Sequence, residues 1–210
     1  MNFGSPNKLR VAKQLAAALG YIGLCRGDRV SVQTLGPSGR NAPVVRTRGS
    51  LWKMLKYLDT VEAPKPTTDL ESPNLNVSLH DGVKDFVTRG VTSGVVVLIT
   101  DLMDKAGYES ALRMMIGRQM DVFVLQVLSQ EEIEPPLRGD RRLIDVEDGD
   151  AAEITVNRFV LDRYQETLKA FLHQARQYCA KRSITHVLVP TDTPIETVMT
   201  KYLRSRGIVR

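Results

Sequence analysis

The chain has 210 residues, of which 42% are hydrophobic and 25% charged, and a formal net charge of +5. That length and balance suit one domain with a sizeable core and exclude disorder or a collagen-like fibre. No apolar run reaches the roughly 20 residues needed to span a bilayer, and so small an excess of cations does not mark a nucleic-acid binder.

The N-terminal segment places Leu9, Ala12, Leu15, Ala16, Leu19 and Ile22 at helical spacing, which predicts an amphipathic helix ending near Gly27. Arg29 to Leu35 alternates as a strand, Gly36 to Asn41 reads as a turn, and Pro43 to Thr47 as the return strand of a hairpin. Ser50 then caps a short helix carrying Leu51, Met54, Leu55 and Leu58. The prolines and threonines of Ala63 to Thr68 form a loop, and a helix follows over Leu75 to Thr88.

Val95 to Ile99 is a continuous apolar run, the signature of a parallel strand covered on both faces. It ends in Thr100 and Asp101 and leads into a helix over Glu109 to Gly117 and a second buried strand, Asp121 to Leu128. Residues 130–157 differ in character. Arg142 to Val146 and Glu153 to Val156 flank Asp148-Gly149, which predicts an antiparallel hairpin inserted into the domain. A long helix over Leu161 to Lys181, a last buried strand over Thr185 to Val189 and a helix beginning at Thr193 complete the chain. Alternating strands and helices predict a doubly wound α/β domain with a mostly parallel sheet.

In such sheets ligands bind beyond the carboxyl ends of the strands. Hard oxygen ligands suited to Mg²⁺ fall there: Asp101 and Asp104 after one strand, Thr191 and Asp192 after another, and Thr68 with Asp69 entering a helix. Aspartates at such positions also cap the following helix, and that reading fits Asp104 and Asp192. Asp101, directly after the core strand, is the metal candidate. His80, His173 and His186 are scattered, and no nucleophile elbow is present. The distant thiols of Cys25 and Cys179 fit a reducing compartment, hence a cytoplasmic protein.

Taken in order, several segments resemble a bacterial family, domain-of-unknown-function family fifty-eight, across essentially the whole chain. They are Phe3-Gly4 with Lys8, Leu15 to Ile22, Gly27 to Val30, Thr68 to Leu70, Arg89-Gly90, Val96 to Asp101, Pro135 to Leu137 with Asp145 to Glu147, Thr191 to Pro194, and Tyr202 to Arg204. The resemblance implies a von Willebrand factor A-like fold with a metal-ion-dependent adhesion site. It further implies a non-enzymatic protein-binding module that works with a MoxR-type AAA ATPase on a client protein. Within that site Thr68 matches the threonine and Asp101 the aspartate. The Asp-x-Ser-x-Ser motif is absent. The implied domain therefore lacks its first, central strand as well, which would lie between Val30–Leu35 and Val95–Ile99. The start being displaced, the flanking strands pairing directly, and a partner donating a strand are all open at this point. An alternative from the residues alone is an Mg²⁺-dependent phosphoryl-transfer enzyme using Asp101, Asp104 and Asp192.

Overall fold

A computed structural model describes residues 3–35, 43–62, 78–89, 94–144 and 151–203. Helix α1 (Lys8–Cys25) starts at Asn7, whose side chain accepts from the backbone N–H groups of Leu9 and Arg10. A 3-10 turn (Arg48–Ser50) leads into α2 (Leu51–Thr60), and α3 (Leu79–Thr88) is capped by Ser78. Strand β1 (Val95–Thr100), α4 (Glu109–Gly117), β2 (Asp121–Leu128) and the short α5 (Gln130–Ile133) follow. Then come β3 (Gly139–Ile144), β4 (Ala151–Val156), α6 (Arg158–Ala180), β5 (Thr185–Pro190), α7 (Ile195–Thr197) and a π-helical turn (Val198–Leu203).

The three long apolar runs form a parallel sheet in the order β1-β2-β5, with Val96 level with Val122 and Leu125 level with Val187. β2 is central, and its Val124, Leu125, Gln126, Val127 and Leu128 are all fully buried. One face carries α1, where Val11 and Leu15 pack with Leu125, Val127, Val187 and Val189. The other carries α3, α4 and α6, where Val83, Leu112, Met115, Ala175 and Cys179 pack with Leu98, Val122 and Val124. The mixed α/β, mostly parallel architecture is thus as the sequence predicts. The excursion is an antiparallel pair, β3 and β4, in a sheet of its own. Its Asp148-Gly149 turn lies outside the described residues.

The expected pairing of Arg29 to Leu35 with Pro43 to Thr47 is seen where both arms are described, in an antiparallel bridge between Val30 and Val45, while its turn lies outside the described residues. Val30 and Val32 pack into a cluster with Leu24, Met54 and Leu58 under α1 and α2, whereas Leu35 packs against α3. The backbone N–H of Thr34 is satisfied by the Tyr57 hydroxyl at 3.2 Å. Gly20 permits the close approach of α2, because a β-carbon there would lie 2.4 Å from Met54 Cε. The last helix begins at Ile195 as α7 and runs on without a break into the π-helical turn as far as Leu203.

Residues 30–35 and β1 are both covered by α1 on one side and by α3 on the other. No strand pairs with the outer edge of β1 among the described residues. An uncharged run of Val95, Val96, Val97, Leu98 and Ile99 on an edge that no described strand covers is a template for pairing between chains. Val95 is 65% exposed at its start. Concentration-dependent association is therefore expected in light scattering, and Val95→Lys, a charge on that edge, should suppress it. Association unchanged by the lysine would place the contact elsewhere.

Candidate functional site

The carboxyl ends of β1 and β2 meet the start of α1. Lys8 occupies the first position of the same helical stripe as Val11 and Leu15, so the fold that buries those residues carries a lysine inward with them. Lys8 is 3% exposed. Its Nζ lies 3.0 Å from Asp101 Oδ2 and 2.5 Å from Glu132 Oε1.

The remaining carboxylate oxygens are engaged as well. Asp101 Oδ1 accepts from the Met103 N–H at 3.3 Å, and Glu132 Oε2 accepts from the Ser129 N–H at 2.8 Å. Ser129 returns the bond, its hydroxyl accepting from the Glu132 N–H, so a capping box holds α5. The Ser5 N–H donates to Glu131 at 3.0 Å, and the Tyr164 hydroxyl of α6 donates to the Glu132 carbonyl at 2.7 Å. Gly4 sits at φ +89°, and a β-carbon there would lie 2.3 Å from Ser129 Cβ, so this contact demands glycine. The ends of β1 and of α5 thus each bring a carboxylate to one ammonium, and further bonds tie α5 to Ser5 and to α6.

Electrostatics agree with that geometry. Burial works against the charge on Asp101, but the Lys8 ammonium outweighs it and holds the carboxyl below its usual range. Burial likewise works against the Lys8 charge, and Asp101 and Glu132 together overcome it and raise its pKa. The trio sets one ammonium between two carboxyl groups.

A polar path leaves this cluster through the sheet. Fully buried Gln126 donates from Nε2 to the Asp101 carbonyl at 3.0 Å, and its Oε1 lies 2.9 Å from His186 Nε2 on β5. Because the amide N–H faces Asp101, Oε1 accepts and His186 carries its proton on Nε2. Gln126→Leu removes the amide that bonds both the Asp101 carbonyl and His186 Nε2, and should cost about 0.5–1.5 kcal/mol for each hydrogen bond lost. Chemical denaturation would measure it, and a neutral result would show that the two bonds add nothing to stability.

Of the residues singled out in the sequence, Asp101 stands at this rim, and Thr68 lies outside the described residues. Asp104 does not cap the following helix, whose N-cap position is Tyr108 with no side-chain cap; instead its oxygens accept from the Leu79 N–H at the start of α3 and, at 2.7 Å, from the Ala106 N–H in its own turn. Thr191 is buried next to Leu128, whose carbonyl accepts from its N–H at 2.9 Å, while Asp192 is exposed. Among the described residues the geometry does not fit a divalent cation: Lys8 already bridges Asp101 and Glu132, and no group of three His, Cys, Asp or Glu side chains able to hold a metal occurs there. Burial pushes the Cys179 thiol up to about 11, which marks it as a core residue and not a nucleophile.

Sequence reasoning missed Lys8, Glu132 and Gln126. Each left a signal: a lysine on an apolar helical stripe, a Ser129-x-x-Glu132 capping pattern, and a glutamine inside the apolar run of β2.

Comparisons with known proteins bear on the fold. A conserved hypothetical protein BatB from Bacteroides thetaiotaomicron superposes with a TM-score of 0.54 at 15% identity, over 96% of this chain and 89% of that one. An aerotolerance-related membrane protein from Bacteroides fragilis, crystallised with multiple mutations to serine, superposes with a TM-score of 0.54 at 13% identity and the same coverage. At such identity the likeness is one of fold. No curated protein matches the chain. The expected cytoplasmic location does not stand, because a structure of this fold is described as a membrane protein. In this chain no helix among the described residues is long and apolar enough to cross a membrane. The family described as "Protein of unknown function DUF58" matches residues 1–174, and the chain belongs to it.

Proposed function

We propose that this chain is a non-enzymatic protein-binding module with a von Willebrand A-like, degenerate adhesion site. In this reading it acts with a MoxR-type AAA ATPase in the assembly or maturation of a client protein. The observation that supports the reading most is the Lys8–Asp101–Glu132 cluster at the carboxyl rim of the parallel sheet, where folds of this class present their ligand sites. The Lys8 ammonium takes the structural role of a cation: it ties α1 to β1 and α5 and fixes the shape of the rim. Partner binding then depends on that shape and on exposed rim groups such as Asp192, and it is independent of divalent metal.

The test is a titration of the immobilised chain with a purified, nucleotide-free MoxR-type ATPase, in Mg²⁺ and again in EDTA. Equal binding in both, weakened by Asp192→Lys, is the expected result. Absence of binding sinks the partnership, and binding abolished by EDTA sinks the metal-independent rim.

The phosphoryl-transfer alternative is weaker. Asp101 and Asp104 direct their oxygens to Lys8, Met103, Leu79 and Ala106, so neither is placed as a base or a nucleophile. Turnover of p-nitrophenyl phosphate above blank with Mg²⁺ would restore it.

A further inference from the structure

The segment from Pro43 to Leu58 contains Arg46, Arg48, Lys53 and Lys56 and no acidic residue; the first acids after it are Asp59 and Glu62. The same segment exposes apolar side chains. Val44 is 56% exposed, Trp52 58% and Leu55 40%. The fold explains why they face outward. Val45 is bonded to Val30 in an extended stretch and buried in the cluster with Met54 and Leu58, so its neighbours Val44 and Arg46 point the other way. In α2, Met54 and Leu58 point into that cluster, which turns Trp52, Leu55 and Lys56 away from it.

Lys53 Nζ lies 5.8 Å from the centre of the Trp52 ring, so the indole and an ammonium share one surface. Arg48 is anchored by a 3.2 Å bond to the Cys25 carbonyl, which fastens the 3-10 turn to the end of α1. The result is a firmly held surface that pairs an exposed indole and aliphatic side chains with cations.

We propose that this surface docks on a lipid bilayer bearing anionic headgroups. Two features favour a lipid surface over a protein groove. The acid-free run of cations complements a uniformly anionic plane, and tryptophan beside lysine is the pairing that settles at the headgroup boundary. The apolar side chains enter the boundary while Lys53, Lys56 and Arg46 meet the phosphates. This docking is independent of the rim proposed above and uses none of its residues.

Trp52 is the only tryptophan in the chain, so its emission reports on this surface alone. The full chain is titrated with phosphatidylcholine vesicles and with vesicles containing phosphatidylglycerol. A blue shift on the anionic vesicles only, reversed by 0.5 M NaCl (a Debye length of about 4 Å), is the expected result. The Lys53→Gln/Lys56→Gln variant should partition roughly thirtyfold more weakly, at about fivefold per lysine. Trp52→Ala, read by vesicle co-sedimentation, should lose binding while its circular dichroism stays unchanged. No shift on anionic vesicles overturns the proposal. So does an equal shift on neutral vesicles, or a shift that follows protein concentration without lipid, which would assign the surface to a second copy of the chain.

Discussion

Lys8→Met is expected to lower the stability of the fold by about 3–5 kcal/mol, the cost of removing one partner from a buried ionic cluster. The side chain of Lys8 is 4% exposed and those of Asp101 and Glu132 are 22% and 16% exposed, so water cannot replace the missing ammonium well. Two carboxylates would remain facing one another at the sheet rim. For a chain of this size the melting temperature should fall by roughly 6–20 °C. The triple variant Lys8→Met/Asp101→Asn/Glu132→Gln should regain much of the loss, because it leaves no buried charge uncompensated. If the single variant melted like the parent, the cluster would not hold the rim.

The same cluster sets a pH window. The folded-state pKa of Asp101 lies below its ordinary value of 3.8, so its contribution is full above that value and is lost as pH falls through the folded value. The pKa of Lys8 is raised above 10.5, so its contribution is full below 10.5 and is lost as pH rises through the folded value. Between these limits the cluster's contribution should be flat. A melting profile that bent near neutrality would have to be traced to other groups.

The second large effect is expected at Leu125→Ala. Leu125 is fully buried at the centre of β2 and packs with Val11 and Leu15 of α1. Truncation there should cost about 2–5 kcal/mol, from lost transfer energy plus the cavity left behind. Because α1 begins at Lys8, a loosened seat for Leu15 reaches the ionic cluster. The Leu125→Ala/Lys8→Met pair should therefore be less destabilised than the sum of its single variants, by an interaction energy of about 0.5–3 kcal/mol. Strict additivity in urea denaturation would show that helix packing and cluster are independent.

The strands of the parallel sheet were legible in the chain because each is an uninterrupted apolar run. Val95 to Ile99 and Val122 to Leu128 can be satisfied only by cover on both faces, and that requirement fixes the sheet type and the helices around it. Helix α4 was legible to the residue, since Glu109 to Gly117 has its own period and a glycine to stop it. The pairing of Arg29 to Leu35 with Pro43 to Thr47 was legible, and Val30 bonds Val45 accordingly, but alternation did not say which helices cover the pair. Val30 and Val32 go to one cluster and Leu35 to another, and only the placement of α1 and α3 decided that.

The candidate site divides in the same way. The rim position of Asp101 follows from its place directly after a buried strand, a local property of the chain. Its partner does not, since Lys8 lies 93 residues earlier and Glu132 lies 124 residues from Lys8. Which charge neutralises Asp101 depended on where α1 settles on the sheet. The physical reason is that burial patterns are written in short-range periodicity, whereas an ion pair forms between whichever charges the packed helices bring within about 4 Å of each other. Short-range pattern was enough for a parallel α/β sheet with oxygen-rich strand ends; that a lysine holds them came from the packing of α1.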